Sequence, residues 1–461
     1  MNKRQHIQRN PGLWRILGLS GALLLLTAAT ANVQAFGQDS ASATQSVAIT
    51  PVSVTPVSIN VDEAIHRAEA NEPNFAASLA DSRVAGIDRS IALAGLLPSV
   101  QYHNQAVYTQ TDRGQTVPRF IANNAAREYS SQAVVNQTVG LAAVAGVRRA
   151  DAASARAAAE LEIARRGLRS AVVSLFYDAL ASGHKLQVAE RAQQEAAGFT
   201  GLTGKREQAR EAAHADVVKA QLTGQQRQRD LSDAKLAAQK ARLELAVLLF
   251  PDPHTPYVLT VADSVPELPS RTEVDAAAAK SNPELKSALA SLGVTSADVL
   301  AARAAYLPDL GLNVTYGIDA PEFAVNSPDH LRNLGYSASV TLDIPVWDWL
   351  TTQHKVKQSE IRRDAAKVAL SAAQRRLIAR LDEAYSEAAA ARQQLASLDD
   401  SVATAAESLR LTKLRYAEGE STVLEVVDAQ NAFVGAENAR EDGSVRYQAA
   451  RADLETLTGR L

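Results

Sequence analysis

The chain repeats itself, and that repetition constrains its fold more than any single motif does. Asn71-Glu72-Pro73 opens a segment of helical composition that stops at Gly95-Leu96-Leu97-Pro98. Ser281-Asn282-Pro283 opens another that stops at Ala305-Tyr306-Leu307-Pro308. Each runs 25 residues from proline to proline (98 − 73 and 308 − 283), and the copies lie 210 apart (283 − 73). Further on, Asp216-Val217-Val218-Lys219-Ala220-Gln221 matches Glu425-Val426-Val427-Asp428-Ala429-Gln430 at an offset of 209 (425 − 216). Two unrelated helices drift against each other; a near-constant offset across both halves marks a duplication. The first repeat is expected over 60–250 and the second over 271–461. Between them, 251–270 is rich in proline, which removes a backbone donor and breaks helices, so this crossover is not helical throughout.

Each Leu-Pro is followed by alternation. From Leu310 to Ile318 every even position is apolar and every odd one is Gly or polar, and Leu334 to Ile344 repeats the pattern. In the first repeat Val100, Tyr102, Ala106 and Tyr108 share a face of one strand, and Tyr129, Ala133, Val135 and Val139 a face of the next. A period of two over about eleven residues gives a strand long enough to cross a bilayer when tilted. Polar loops over 112–127 and 320–332 join each pair. The alternative is a soluble sheet with one buried face.

Helical composition then continues without proline from Ala142 to Gln208 and from Trp347 to Ala417. At 1.5 Å per residue each run approaches about 100 Å, more than a globular domain uses and suited to a coiled-coil tube. Composition agrees: 46% of residues are hydrophobic but only 5% aromatic, as in long Ala-rich helices packed side by side rather than around a bulky core.

The ends and the charge narrow the setting. Lys3, Arg4, Arg9 and Arg15 precede an apolar run from Ile16 to Leu26, and Val33-Gln34-Ala35 offers small residues for cleavage. This predicts a signal peptide over 1–35, an uncleaved anchor being the alternative. Residues 36–59, rich in Ser, Thr, Gln and Val, read as a flexible leader. No later stretch has 18 continuous apolar residues, so membrane entry is expected through strands. The net charge of −3 carries no nucleic-acid footprint. With 0 Cys there is no thiolate metal site or Cys nucleophile, and the 8 His are scattered singly, His184 reading as a helix-surface residue. No HExxH, GxSxG, P-loop or GxGxxG context organises a catalytic, cofactor or metal site.

Two strands per repeat make four per chain. Four strands in lipid leave two edges of unpaired backbone groups, each costing several kcal/mol in hydrocarbon, and closure with other copies removes them. Three copies supply twelve strands, enough to leave a lumen. Asn313, Thr315, Ser337, Ser339 and Thr341 would line water and their even-numbered neighbours would face lipid.

The stretch Leu411 to Gln430 (LTKLRYAEGESTVLEVVDAQ) is similar to the R-Y-x-x-G-x-x-S-x-L-D-V-L-x-A-Q signature of the TolC-type outer-membrane efflux protein family. From about Val61 to Leu461 the chain resembles that family. The resemblance implies a homotrimer with a 12-stranded barrel in outer-membrane lipid. It also implies a long α-helical tunnel in the periplasm, serving as exit duct for a periplasmic adaptor and an inner-membrane pump. It places Arg415, Tyr416, Gly419, Ser421, Glu425 and Asp428 at the periplasmic tip, with Arg206, Arg210 and Asp216 at the corresponding tip of the first repeat. Many members are acylated on an N-terminal Cys, which 0 Cys rules out here.

The residues read consistently beside this. Gly419 suits the left-handed end of a helix, and Ser421 or Thr422 can cap the next one with Glu425 in its first turn. Glu425 and Asp428 are three apart and share a face; on the axis of a trimer they would gather six acidic groups, and otherwise they form a solvated outer face. At the first tip Arg210 stands where Gly419 stands in the second (419 − 209), so that turn is expected to close differently. Gly198, Gly201 and Gly204 are expected to soften the helix before it, each costing about 1 kcal/mol relative to Ala. The function expected is a passive export duct; a periplasmic coiled-coil adaptor or structural protein is the alternative, although an adaptor would carry one hairpin flanked by compact β domains.

Overall fold

The computed structural model describes residues 56–108, 127–261, 267–328 and 330–459. The expected signal peptide, most of the leader and the first strand-connecting loop lie outside them. The first half runs β1 (Val57–Ile59), α1 (Val61–Asn71), α2 (Pro73–Ala94), β2 (Ser99–Tyr108), β3 (Arg127–Val139), α3 (Leu141–Gln208) and α4 (His214–Leu249). The second half runs β4 (Tyr257–Leu259), α5 (Arg271–Ser281), α6 (Pro283–Ala304), β5 (Asp309–Ala320), β6 (Leu334–Asp343), α7 (Thr351–Ala417) and α8 (Val423–Thr458). Thus α1 and α2 recur as α5 and α6 at an offset of 210 (271 − 61, 283 − 73), and α4 recurs as α8 at 209 (423 − 214).

Proline sets the local breaks. Pro73 and Pro283 occupy first-turn positions of α2 and α6, where a missing N–H is harmless, and the residue before each is extended. Asn282 caps α6, its side-chain oxygen accepting from the Leu285 N–H at 2.9 Å. This break also divides the only described stretch long and apolar enough to cross a membrane, Arg271–Ala304, into an 11-residue and a 22-residue helix. α6 packs against both α3 and α7.

α3 and α7, of 68 and 67 residues, are the long struts, each about 100 Å. The burial is spread along them in patches rather than gathered in one core. Val172, Phe176 and Ala179 of α3 pack with α1, the end of α4 and β4; Leu381 of α7 packs with Val274, Ala278 and Leu454 around the end of α8. Across the repeats α3 lies on α8 through a polar ladder. His184 Nδ1 sits 2.8 Å from Glu441, Arg191 donates to Glu437 at 2.9 Å, Ser170 donates to Asp453 at 2.8 Å, and Lys185 pairs with Asp442.

Two stretches differ from their sequence reading. Val57–Ile59, assigned by composition to the leader, pairs in parallel with Tyr257–Leu259 of the crossover, so the ends of the first repeat are stapled together. The second long helix begins at Thr351 rather than Trp347. Trp349 and Leu350 take left-handed conformations (φ 56° and 64°), and Asp348 accepts from the Thr352 N–H at 2.7 Å to start the helix.

Candidate functional sites: the amphipathic sheet and the helical tip

The four long strands form one antiparallel sheet in the order β2-β3-β5-β6, so β3 and β5 join the repeats while β2 and β6 are the outer strands. Register decides what each face carries. Asn136 pairs with Asn313 and Asn313 with Ser339; Val134 pairs with Thr315 and Thr315 with Ser337; Thr138 pairs with Gly311 and Gly311 with Thr341. Because directly paired residues share a face, Asn313, Thr315, Ser337, Ser339 and Thr341 stand together on one side, with Gln101 and His103. The opposite side carries Val100, Tyr102, Val135, Leu312, Val314, Tyr316, Tyr336 and Val340. This apolar face is open, with Tyr336 83% and Val340 68% exposed. Asn313 donates to Asn136 and Thr315 donates to Asn313 at 3.1 Å, so the polar face has its own network.

At the far end of the struts two helix turns meet. In the second repeat α7 ends on Glu418, Gly419 is left-handed (φ 83°), and the Gly419 and Glu420 N–H groups donate to the Tyr416 and Arg415 carbonyls at 3.2 and 2.8 Å. Thr422 caps α8, accepting from the Glu425 N–H at 3.3 Å, and Ser421 donates to the Glu425 carboxylate at 2.6 Å. The Ser421 hydroxyl, then the charge of Arg415, holds the Glu425 carboxyl below its ordinary value. Glu425 and Asp428 are both exposed on α8, above the buried patch of Val423, Val426 and Val427.

The first turn closes the same way, contrary to the expectation from Arg210. Arg210 itself is left-handed (φ 64°), and the Arg210 and Glu211 N–H groups donate to the Glu207 and Arg206 carbonyls, each at 2.8 Å. Position for position these are the second turn's bonds at an offset of 209 (419 − 210), so the hydrogen-bond pattern outlasts the glycine. α3 runs as one helix through Gly198, Gly201 and Gly204 to Gln208. Propensity losses of this size are small against the packing of a 68-residue helix. Asp216 lies in the first turn of α4, as Glu425 does in α8.

A clamp that sequence reasoning missed joins the turns. The Arg206 guanidinium donates to the Tyr416 and Ala417 carbonyls at 2.8 and 2.9 Å and stacks over the Tyr416 ring at 4.6 Å. Phe199 packs on the same ring, centroids 5.2 Å apart, leaving Tyr416 6% exposed. A cation on the last carbonyls of a helix satisfies acceptors that have no partner within it and meets the negative end of its dipole. Arg415 is the counterpart of Arg206 (206 + 209); it donates to the Glu420 carbonyl at 3.3 Å, and its charge acts on Glu425. Among the described residues no group of His, Cys, Asp and Glu could hold a metal ion.

The profile of the outer membrane efflux protein family matches residues 276–460, most of the second half. Outer membrane protein OprJ of Pseudomonas aeruginosa is 28% identical over 177 residues, an alignment covering 38% of this chain and 36% of that protein. The chain thus spans about a third of that relative's length. Pyoverdine export outer membrane protein OpmQ of Pseudomonas putida is 24% identical over 388 residues, 82% of this chain and 81% of that one. The crystal structure of the Campylobacter jejuni CmeC outer membrane channel superposes with a TM-score of 0.74 at 16% identity, over 87% of this chain and 85% of that one. That likeness is one of fold.

Proposed function

We propose that this chain, whose residues 276–460 match the profile of the outer membrane efflux protein family, is a passive export duct in the outer membrane, built from three copies. The observation that carries this is the sheet: four strands of 10 to 13 residues, one face apolar and open, the other polar, with β2 and β6 as outer strands. A hydrophobic face of that extent is a liability in water and a fit to lipid. Its outer strands require partners there, which further copies supply. Three copies give twelve strands around a lumen lined by Asn313, Thr315, Ser337, Ser339 and Thr341.

The long helices then extend the lumen into the periplasm, and the paired turns form its end. There Arg206, Arg210, Asp216, Arg415, Tyr416, Gly419, Ser421, Glu425 and Asp428 meet the periplasmic adaptor of an inner-membrane pump, and Glu425 and Asp428 face the axis. The family and the fold are those of channels, and the duct moves cargo without catalysis, the pump choosing what enters it. A soluble adaptor would have no use for the open apolar face.

Detergent extraction of membranes should yield trimers that conduct ions in planar bilayers. Release of a soluble monomer by osmotic shock, with no conductance after reconstitution, would overturn the reading.

A further inference from the structure

The passage from strand to long helix is made twice in this chain, and the two copies differ. In the first repeat a single residue, Gly140, separates the end of β3 at Val139 from the start of α3 at Leu141. In the second repeat seven residues (350 − 344 + 1) separate Asp343 of β6 from Thr351 of α7. The first repeat shows that a strand can become a strut without the longer linker.

What that linker presents is apolar and open. Ile344, Val346, Trp347, Trp349 and Leu350 are exposed, Val346 at 87% and Trp349 at 83%. The two indoles meet edge to face, ring centroids 5.8 Å apart. Trp349 and Leu350 hold left-handed backbones, which bulky side chains rarely adopt and which gather at functional segments. The linker lies at the helix-side end of the sheet and continues its open apolar face past Val340 and Leu342. Indole, with an apolar body and a polar N–H, suits the boundary between acyl chains and headgroups.

Cations follow just beyond. Lys355 and Lys357 are exposed in the first turns of α7, and neither is in a salt bridge among the described residues. Two residues are about 200° apart on a helix, so these lysines cover both of its flanks. Arg148, exposed on α3, is the counterpart of Lys357 (357 − 209), so both repeats carry a cation at this level. From Trp349 to Lys355 is six residues, about 9 Å of helix rise. The polar zone on each side of the hydrocarbon is about 5–8 Å deep. With the indoles at its inner boundary, the lysine heads on their flexible stems reach the level of the phosphates.

We propose that this linker and the cations beyond it form a site for anionic phospholipid headgroups in the periplasmic leaflet, the indoles seated at the acyl boundary and Lys355, Lys357 and Arg148 drawing in the phosphates. The site rests on the proposed outer-membrane duct, whose sheet has lipid against its apolar face. It fixes the depth of the barrel and ties α7, the strut that runs to the tip, to the membrane surface.

Trp347 and Trp349 are the sequence's tryptophans apart from Trp14, so Trp14→Phe in the full chain makes indole fluorescence report on this linker alone. Trimers of that chain are reconstituted into vesicles of neutral phosphatidylcholine mixed with anionic phosphatidylglycerol, with bromine, which quenches indoles in contact, on the acyl chains of one lipid or the other. Brominated phosphatidylglycerol should quench as though enriched about fivefold over its share of the vesicle, the factor that one cation near an anionic surface contributes. Lys355→Gln, Lys357→Gln and Arg148→Gln together, or high salt, should return quenching to the level of random mixing. Equal quenching by the two lipids, or a preference that survives the loss of all three cations, overturns the headgroup site and leaves the duct standing. Absence of quenching by either lipid in conducting trimers would mean that a neighbouring copy covers the indoles, and the site is again wrong. If no conducting trimer forms, the site and the duct fall together.

Discussion

At the tip single residues decide how the chain turns and what the turn presents. Arg206 satisfies two carbonyls at the end of α7 and covers the Tyr416 ring. Arg206→Gln is expected to destabilise the tip by about 1 kcal/mol, since it removes a charged donor from one part-buried and one exposed carbonyl. Hydrogen exchange of the amides after Tyr416 should quicken accordingly. Tyr416→Phe is expected to do the opposite. The Tyr416 hydroxyl is buried with no hydrogen-bond partner, so its removal spares a desolvated polar group while the ring stays under the guanidinium. Protection equal to or above that of the native chain checks this. The acidic pair carries a different prediction. With Glu425→Gln and Asp428→Asn, block of the conducting channel by multivalent cations added on the tip side should weaken, because a ring of carboxylates is lost. Unchanged block would put both residues off the axis. Gly419 and the Thr422 cap are legible in the sequence because each chemistry is local. The left-handed Arg210 is not legible, since the hydrogen bonds of Glu207 and Arg206 hold it there against its own preference.

Among the elements, the strands were the most readable, because a period of two fixes both conformation and face. The pairing of Thr315 with Ser337 and of Asn313 with Ser339 then gathers the polar positions on one side of the sheet. β1 and β4 were not readable: three residues hold no periodicity, and what makes Val57–Ile59 a strand is Tyr257–Leu259, about 200 residues away. The start of α7 was misplaced because Trp347 to Leu350 has nothing in it that forbids a helix. The cap from Asp348 starts the helix later. The two faces predict two responses. Val340→Arg, on the open apolar face, is expected to cost about 2–4 kcal/mol in lipid and to lower the yield of folded trimers. Ser339→Arg, one residue away on the polar face, should leave folding intact and shift conductance and ion selectivity. Folding yield in lipid and single-channel recordings separate them; equal loss of folding from both would mean that the polar face is not wet.

Over the whole molecule, the duplication gives each chain two similar hairpins, but the seam between them within a chain has side chains that its counterpart lacks. Lys185 and Arg191 supply cations to Asp442 and Glu437, and the matching positions on α7 are Gln394 and Asp400. These pairs are partly exposed, so together they are worth about 1 kcal/mol, roughly fivefold in an equilibrium between closed and open tips. Lys185→Gln with Arg191→Gln leaves Asp442 and Glu437 without their cations. The variant should form trimers of ordinary stability, because the buried patches along α3 and α7 are untouched, yet open several-fold more often at low ionic strength. Raising the salt should open the native channel toward the level of the variant and change the variant less, since screening acts on pairs that the variant no longer has. If recordings show the variant gating as the native channel does at every salt concentration, the ladder is not what holds each chain's hairpins together.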